Sequence, residues 1–257
     1  MPLSTEQLER YSRNILLKEI GIKGQENLLS SKVIVVGAGG LGSPAAMYLA
    51  SAGIGTIGIA DKDEVELSNL NRQIMHKTCN IGKLKTNSAK QTINEINPDI
   101  KINIYNEISS QNISEIISQY DFVIDATDNF ETKFLINDAC VIAKKPFSHA
   151  GIVGLQGQTM TYVPEKSCCY RCVFKQPPPK DCVVTCAQAG VLGAAAGIIG
   201  TIQATEAIKY ILGVGDLLTG YLLTYNALNA EFRKIKLPER DENCLVCGKE
   251  PTIKKLR

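Results

Sequence analysis

Two sets of residues in this chain have types and spacings that can do chemistry. One is a glycine-rich loop, Gly37-Ala-Gly39-Gly40-Leu-Gly42, and the other is a pair of C-x-x-C units, Cys169-Tyr-Arg-Cys172 and Cys244-Leu-Val-Cys247. The loop follows a β-branched run, Lys32-Val-Ile-Val-Val, and precedes a stretch in which Pro44 suits the first turn of a helix. In that setting glycines let the backbone approach phosphates, and the helix start offers free N–H groups and the positive end of its dipole. Asp61 closes a second run, Thr56-Ile-Gly-Ile-Ala, where a carboxylate can bond both hydroxyls of a ribose. These features alone fit NAD, FAD or ATP.

The charged residues that follow narrow the choice. In Ser68-Asn69-Leu70-Asn71-Arg72-Gln73 an arginine lies shortly beyond the ribose end of the second strand. Gly82-Lys-Leu-Lys85 puts a lysine at a helix start, an unfavourable place for a cation unless an anion is near. Asp125-Ala-Thr-Asp128-Asn129 sets a carboxylate just past a fourth strand, where ligands collect in open parallel sheets. Each residue alone is more often a solvated surface charge. Together they suit a nucleoside triphosphate, whose charge cations spread and whose Mg²⁺ a carboxylate can hold. An NAD- or FAD-dependent oxidoreductase leaves Arg72, Lys85 and Asp128 without a task, and so does a non-catalytic binding module.

The chain has 9 cysteines, and its N-terminus lacks the apolar segment of a secretory signal. An odd count without a signal argues against a disulfide framework. Each C-x-x-C pair can span one edge of a tetrahedron, and the two together make a closed Cys₄ zinc site. Redox pairs and coincidental buried thiols are the alternatives. Cys168 is a near-duplicate ligand; Cys169 is preferred because its two-residue spacing matches the second pair. Cys186, in Val183-Val-Thr-Cys186-Ala-Gln-Ala-Gly190, precedes a long helix, where a thiol can have a lowered pKa and react as thiolate. Cys79, Cys140 and Cys182 read as ordinary thiols.

The elements that must position these residues alternate strand with helix, which specifies an α/β fold: a Rossmann-like, mostly parallel sheet with helices on both faces. Residues 85–96 read as a helix stopped before Pro98, 101–105 and 121–125 as strands, and 130–143 as a helix. After about residue 150 the pattern changes. A strand over 158–163 points to a continuing mixed or antiparallel part, and Pro177-Pro-Pro179 marks an exposed crossover. A long helix of small residues, a strand near 222–225 and a polar tail follow. The expected organisation is one domain: an N-terminal helical segment (1–30), a nucleotide-binding core (31–150) and a C-terminal part with the metal site (151–257). A net charge of +2 gives no reason to expect nucleic acid or membrane as a partner. Thr185, Gln188, Thr201 and Gln203 interrupt the uncharged stretch before Glu206, so it reads as a buried helix and not a membrane span. A cytoplasmic protein is expected.

The GAGGLG loop, the SNLNRQ run, Lys85 after IGK and the DATDN motif together resemble the ThiF/MoeB/HesA adenylyltransferases, bacterial relatives of ubiquitin-activating enzymes. The resemblance runs from Tyr11-Ser-Arg13 to the last cysteine pair. It implies that Gly40 approaches the phosphates of ATP, Asp61 binds ribose and Ser68 to Arg72 line the pocket. By the same resemblance Arg72 and Lys85 contact phosphates, Asp128 holds Mg²⁺ beside Asn129, and Arg13 reaches the site of the other subunit of a homodimer. The implied reaction adenylates the C-terminal glycine of a small ubiquitin-like sulfur-carrier protein, in thiamine or molybdopterin biosynthesis, and places the carrier against 151–257. Some members have a cysteine linked to sulfur transfer where Cys186 stands. A chain ending at Arg257 leaves no room for a fused sulfurtransferase domain, so the expected sulfur donor is a separate protein. A relative that adenylates a tRNA base is the alternative within the family.

Overall fold

The computed structural model describes residues 2–179 and 186–256. Helices α1 (Thr5–Arg10), α2 (Ser12–Ile15) and α3 (Gly21–Ser30) precede the first strand. The start of α1 is set by a reciprocal cap, in which the Ser4 hydroxyl accepts from the Gln7 N–H and the Gln7 side chain accepts from the Ser4 N–H. Then come β1 (Lys32–Val36), α4 (Gly42–Ala52), β2 (Thr56–Ala60), α5 (Lys85–Ile96), β3 (Lys101–Tyr105), α6 (Ile113–Ser118), β4 (Phe122–Asp125), α7 (Phe130–Ile142) and β5 (Phe147–Val153). The later elements are β6 (Gln156–Tyr162), α8 (Tyr170–Val173), α9 (Cys186–Ala189), α10 (Gly193–Leu212), β7 (Tyr221–Asn226) and β8 (Glu231–Lys236).

Among the described residues the strands form one sheet in the order β3-β2-β1-β4-β5-β6-β7-β8. Pairs from β3 to β5 are parallel, and those from β5 to β8 are antiparallel. The period-2 alternation of β1 divides the core. Val33 and Val35 pack with Leu49, Ile57, Ala196 and Ile199, whereas Ile34 and Val36 pack with Val123, Phe134 and the paired cysteines. Chain connections reverse direction between β2 and β4 on the two sides of β1. Open parallel sheets carry their ligand crevice at such a point, beyond the carboxyl ends of the strands.

The helix of small residues, α10, lies across α4. A methyl group on Gly200 would come within 2.2 Å of the Leu41 carbonyl oxygen, so only a glycine admits this crossing. No helix among the described residues is long and apolar enough to cross a membrane. Two strands differ from the sequence reading. Residues 147–153 form β5 although Ser148 and His149 interrupt its apolar run, because both are buried and hydrogen-bonded. The polar tail contains β8, an edge strand exposed along its whole length, which therefore carries no alternation.

Candidate functional site

The expected crevice lies beyond the ends of three neighbouring strands. The loop from Gly37 to Gly42 follows β1, Asp61 follows β2, and the segment 126–129 follows β4. The glycines of the loop fall into two classes. Gly37 has φ +100°, and a side chain there would meet the Ala126 carbonyl oxygen at 2.6 Å. A side chain on Gly42 would meet the Gly37 carbonyl oxygen at 1.8 Å. Those two serve the fold of the loop itself. At Gly39 and Gly40 the added carbon would have no neighbour closer than 3.8 Å and 3.4 Å, so the fold does not demand glycine there. Glycines that the fold does not demand, beside the uncapped start of α4, let a phosphate approach the backbone closely.

Ala38 is fixed at both of its polar groups. Its N–H donates to Asp61 Oδ2 at 2.7 Å, and its carbonyl faces His76 Nε2 at 2.9 Å. Asn80 donates to Ser88 Oγ, so the Ser88 hydroxyl donates to His76 Nδ1 and the ring proton sits on Nε2. Burial lowers the pKa of His76, opposed by the Ala38 carbonyl, so the neutral form that this chain of bonds needs is the favoured one. Asp61 Oδ1 also accepts the Asp63 N–H at 2.9 Å, which fixes the carboxylate at the mouth of the crevice.

The stem of Arg72 lies against Gly40 on one side and Gly193, the first residue of α10, on the other. Its guanidinium donates to the Ser68 carbonyl at 2.9 Å and to Asn71 Oδ1 at 3.1 Å, and it has no carboxylate partner among the described residues. Asn69 is buried, and its Oδ1 accepts the Glu66 N–H at 3.1 Å, capping the turn that presents Ser68, Leu70 and Asn71. Lys85, at the start of α5, is buried against Asp63 with Nζ to Oδ2 at 2.9 Å, so the anion beside this helix start is a side chain. Asp128 is exposed, and its carboxylate has no partner among the described residues. Asn129 caps α7 by accepting the Thr132 N–H at 2.8 Å. Arg13 is exposed on α2, away from the glycine loop in sequence, and has no ion pair among the described residues.

The two C-x-x-C units meet on the far face of the sheet. The sulfurs of Cys169, Cys172, Cys244 and Cys247 are buried and lie within 4.8 Å of one another. Neighbouring Sγ pairs are 3.4 to 3.8 Å apart, from Cys172–Cys247 to Cys169–Cys172, and the cysteines are free. Tetrahedral zinc with Zn–S bonds of about 2.3 Å sets its sulfurs roughly 3.8 Å apart, so the donor set fits that ion. Cys168 is buried outside this group, its thiol pushed up to about 11 by burial and by the nearby Cys172. Cys182 lies outside the described residues. Cys186 opens α9, and its side chain is likewise outside the described structure.

Sequence reading gave no role to four buried polar residues beside the crevice. His76 carried no motif and contacts the loop only in the fold. Asp125, Lys133 and His149 form a second group: Asp125 Oδ2 lies 2.8 Å from His149 Nδ1 and 3.4 Å from Lys133 Nζ. Burial would raise the Asp125 pKa, but the Lys133 ammonium and the His149 hydrogen bond bring it down to about 2. In the sequence Asp125 opens the DATDN motif and ends an otherwise apolar strand, whereas Lys133 and His149 belong to no motif.

Comparison with known proteins gives the family and the fold. The ThiF family pattern matches residues 11–246. The adenylyltransferase and sulfurtransferase MOCS3 of Aedes aegypti is 46% identical over 255 residues, covering 99% of this chain and 58% of that protein. Thus the chain spans little more than half the length of such relatives. The sulfur carrier protein adenylyltransferase of Thermus thermophilus is 42% identical over 262 residues, covering 100% of this chain and 96% of that one. The crystal structure of E. coli MccB with ATP superposes with a TM-score of 0.80 at 25% identity, over 93% of this chain and 74% of that chain. By sequence and by architecture, the chain belongs to the ThiF family.

Proposed function

We propose that this protein is an ATP-dependent adenylyltransferase that activates the C-terminal carboxylate of a small ubiquitin-like sulfur-carrier protein. The observation that carries the reading is the convergence, at one edge of the sheet, of glycines 39 and 40, which the fold does not demand, with Arg72 and Asp128, neither of which has an oppositely charged partner among the described residues. The name of the Thermus relative, matched over 96% of its own length, supports the carrier as substrate, and ATP in the MccB structure supports the nucleotide.

The first step needs no protein nucleophile. A carboxylate oxygen of the carrier's terminal glycine attacks the α-phosphorus of ATP. The bond from that phosphorus to the oxygen bridging to the β-phosphate breaks, so pyrophosphate leaves and an acyl-adenylate remains. The chain's contribution is to position the reactants and neutralise charge. The loop N–H groups at Gly39 and Gly40 and the start of α4 receive phosphate oxygens, Asp61 orients the ribose, and Arg72 lies against the phosphates. Lys85 reaches them by exchanging part of its bond to Asp63. Ser68 to Asn71 wall the pocket. Asp128, beside Asn129, would hold Mg²⁺, which supplies charge neutralisation on the triphosphate. Zn²⁺ at the four cysteines has a structural task, tying the C-terminal segment to α8. Arg13 serves the site of a second subunit in a homodimer, and Cys186 is available for a later sulfur-transfer step, for thiamine or molybdopterin synthesis.

Exchange of labelled pyrophosphate into ATP, scored with a panel of carriers ending in Gly-Gly, tests the proposal. Asp128→Ala should abolish exchange, whereas Cys186→Ser should retain it. Arg13→Ala and Asp128→Ala homodimers should both be inactive, and the mixed dimer should recover one intact site. Tight NAD binding without ATP binding would overturn the reading. A mixed dimer as inactive as its parents would remove Arg13 from the partner's site.

A further inference from the structure

The buried group at the end of β4 is more elaborate than packing demands. Asp125 is wholly buried, and every part of it is held. Its Oδ2 meets His149 Nδ1 at 2.8 Å and Lys133 Nζ at 3.4 Å. Its Oδ1 accepts twice from Thr127, from the hydroxyl at 2.6 Å and from the N–H at 3.1 Å. Its carbonyl accepts from Gln203 Nε2 at 2.9 Å. Lys133 is fixed in turn by the Ala150 carbonyl at 2.7 Å, and the ring of Tyr170 lies 4.3 Å from that of His149. Burying a carboxylate, an ammonium and an imidazole costs several kcal/mol unless the arrangement is well satisfied. A well-packed apolar end to β4 would hold the sheet equally well.

What the charged arrangement adds is the conformation of the next residues. Both bonds from Thr127 fold the chain back on Asp125 immediately before Asp128, and Gly37 closes the other side at the Ala126 carbonyl. Asp128 itself is exposed and has no partner among the described residues, so no contact there fixes its direction. We infer that Asp125, backed by His149 and Lys133, is a positioning residue that, by accepting two hydrogen bonds from Thr127, aims Asp128 at the divalent cation of the nucleotide complex. This rests on the reading of Asp128 given above.

The test is Mn²⁺ binding, followed by its paramagnetic resonance, to the full chain in the presence of a non-hydrolysable ATP analogue, with thermal unfolding of each variant as control. Thr127→Val removes the hydroxyl while keeping the shape, and should weaken Mn²⁺ about tenfold, as expected for one lost hydrogen bond to a charged group. Thr127→Ser should restore the affinity. Asp125→Asn should weaken it further; if that variant does not fold, the Thr127 pair still decides. A Thr127→Val protein that binds Mn²⁺ like wild type while Asp128→Ala does not would overturn the inference and leave Asp128 as the ligand. Equal binding by Asp128→Ala and wild type would instead overturn the reading of Asp128, and the inference with it.

Discussion

Gly40→Ala and Gly42→Ala differ by one methyl group two residues apart, and the structure assigns them opposite consequences. At Gly42 the new carbon would lie 1.8 Å from the Gly37 carbonyl oxygen, a backbone atom that cannot yield without opening the loop. Overpacking typically costs about 1–3 kcal/mol, and a backbone clash belongs at the upper end, which is a fall in Tm of roughly 6–12 °C for a chain of this size. At Gly40 the nearest atoms are the Ala196 side chain at 3.4 Å and the stem of Arg72 at 3.5 Å, which is ordinary contact. There the reduced freedom of the unfolded chain offsets small strain, so stability should stay within about 1 kcal/mol of wild type. The methyl does, however, reach the stem of Arg72, and on the proposed function it would narrow the approach of a phosphate to the loop N–H groups. Each charge-assisted bond from such a group to phosphate contributes about 1.5–3 kcal/mol, so losing one weakens ATP roughly tenfold to a hundredfold. Calorimetric titration with Mg-ATP, beside melting curves, reads both quantities. A Gly40→Ala protein that melts normally and binds ATP within twofold of wild type would refute the assignment of the loop to phosphates.

The four-cysteine group should bring one zinc per chain through purification without chelators; Cys244→Ser should lose it and lower Tm, whereas Cys168→Ser should keep it, and loss there would mean the ligand set is misassigned. Stability should fall in two stages on acidification. Burial lowers the pKa of His149 and His76 from 6.5, so the unfolded chain takes up protons first, and stability should decline below about pH 6.5 by up to roughly 1.4 kcal/mol per pH unit for each. Asp125, depressed from 3.8 to about 2, adds a further loss as pH falls across that range. A Tm that is flat between pH 7.5 and 5.5 would contradict the first stage.

Much of the fold was legible because local pattern and tertiary role coincide. The helix read over 85–96 is α5, and the strands read over 101–105 and 121–125 match β3 and β4 to within a residue. Each is a short, strongly patterned segment bounded by Pro98, Asp121 or a glycine. β5 escaped because the residues that make it useful, Ser148 and His149, break the apolar run that announces a buried strand. β8 escaped because an edge strand exposed on both sides has no hydrophobic face to display. The same division holds at the crevice. Gly40, Asp61, Arg72 and Asp128 stand in dense motifs, whereas His76 supports the loop from 38 residues away, a contact that no spacing encodes.

Because each cysteine of the first pair meets one 75 residues later in the chain, the cluster cannot close until the last strands have been made. At about 5–20 residues added per second, the first pair waits roughly 4–15 s on the ribosome with its thiols uncommitted. In that interval β1 to β5 can already pair, and α10, whose Gly193 and Ala196 flank Arg72 and Gly40, is added before the second cysteine pair. The metal would then act as a late latch in synthesis, and scarcity of zinc would leave chains with a formed crevice and an unfastened end. Such chains are the ones that proteases and oxidants would meet first.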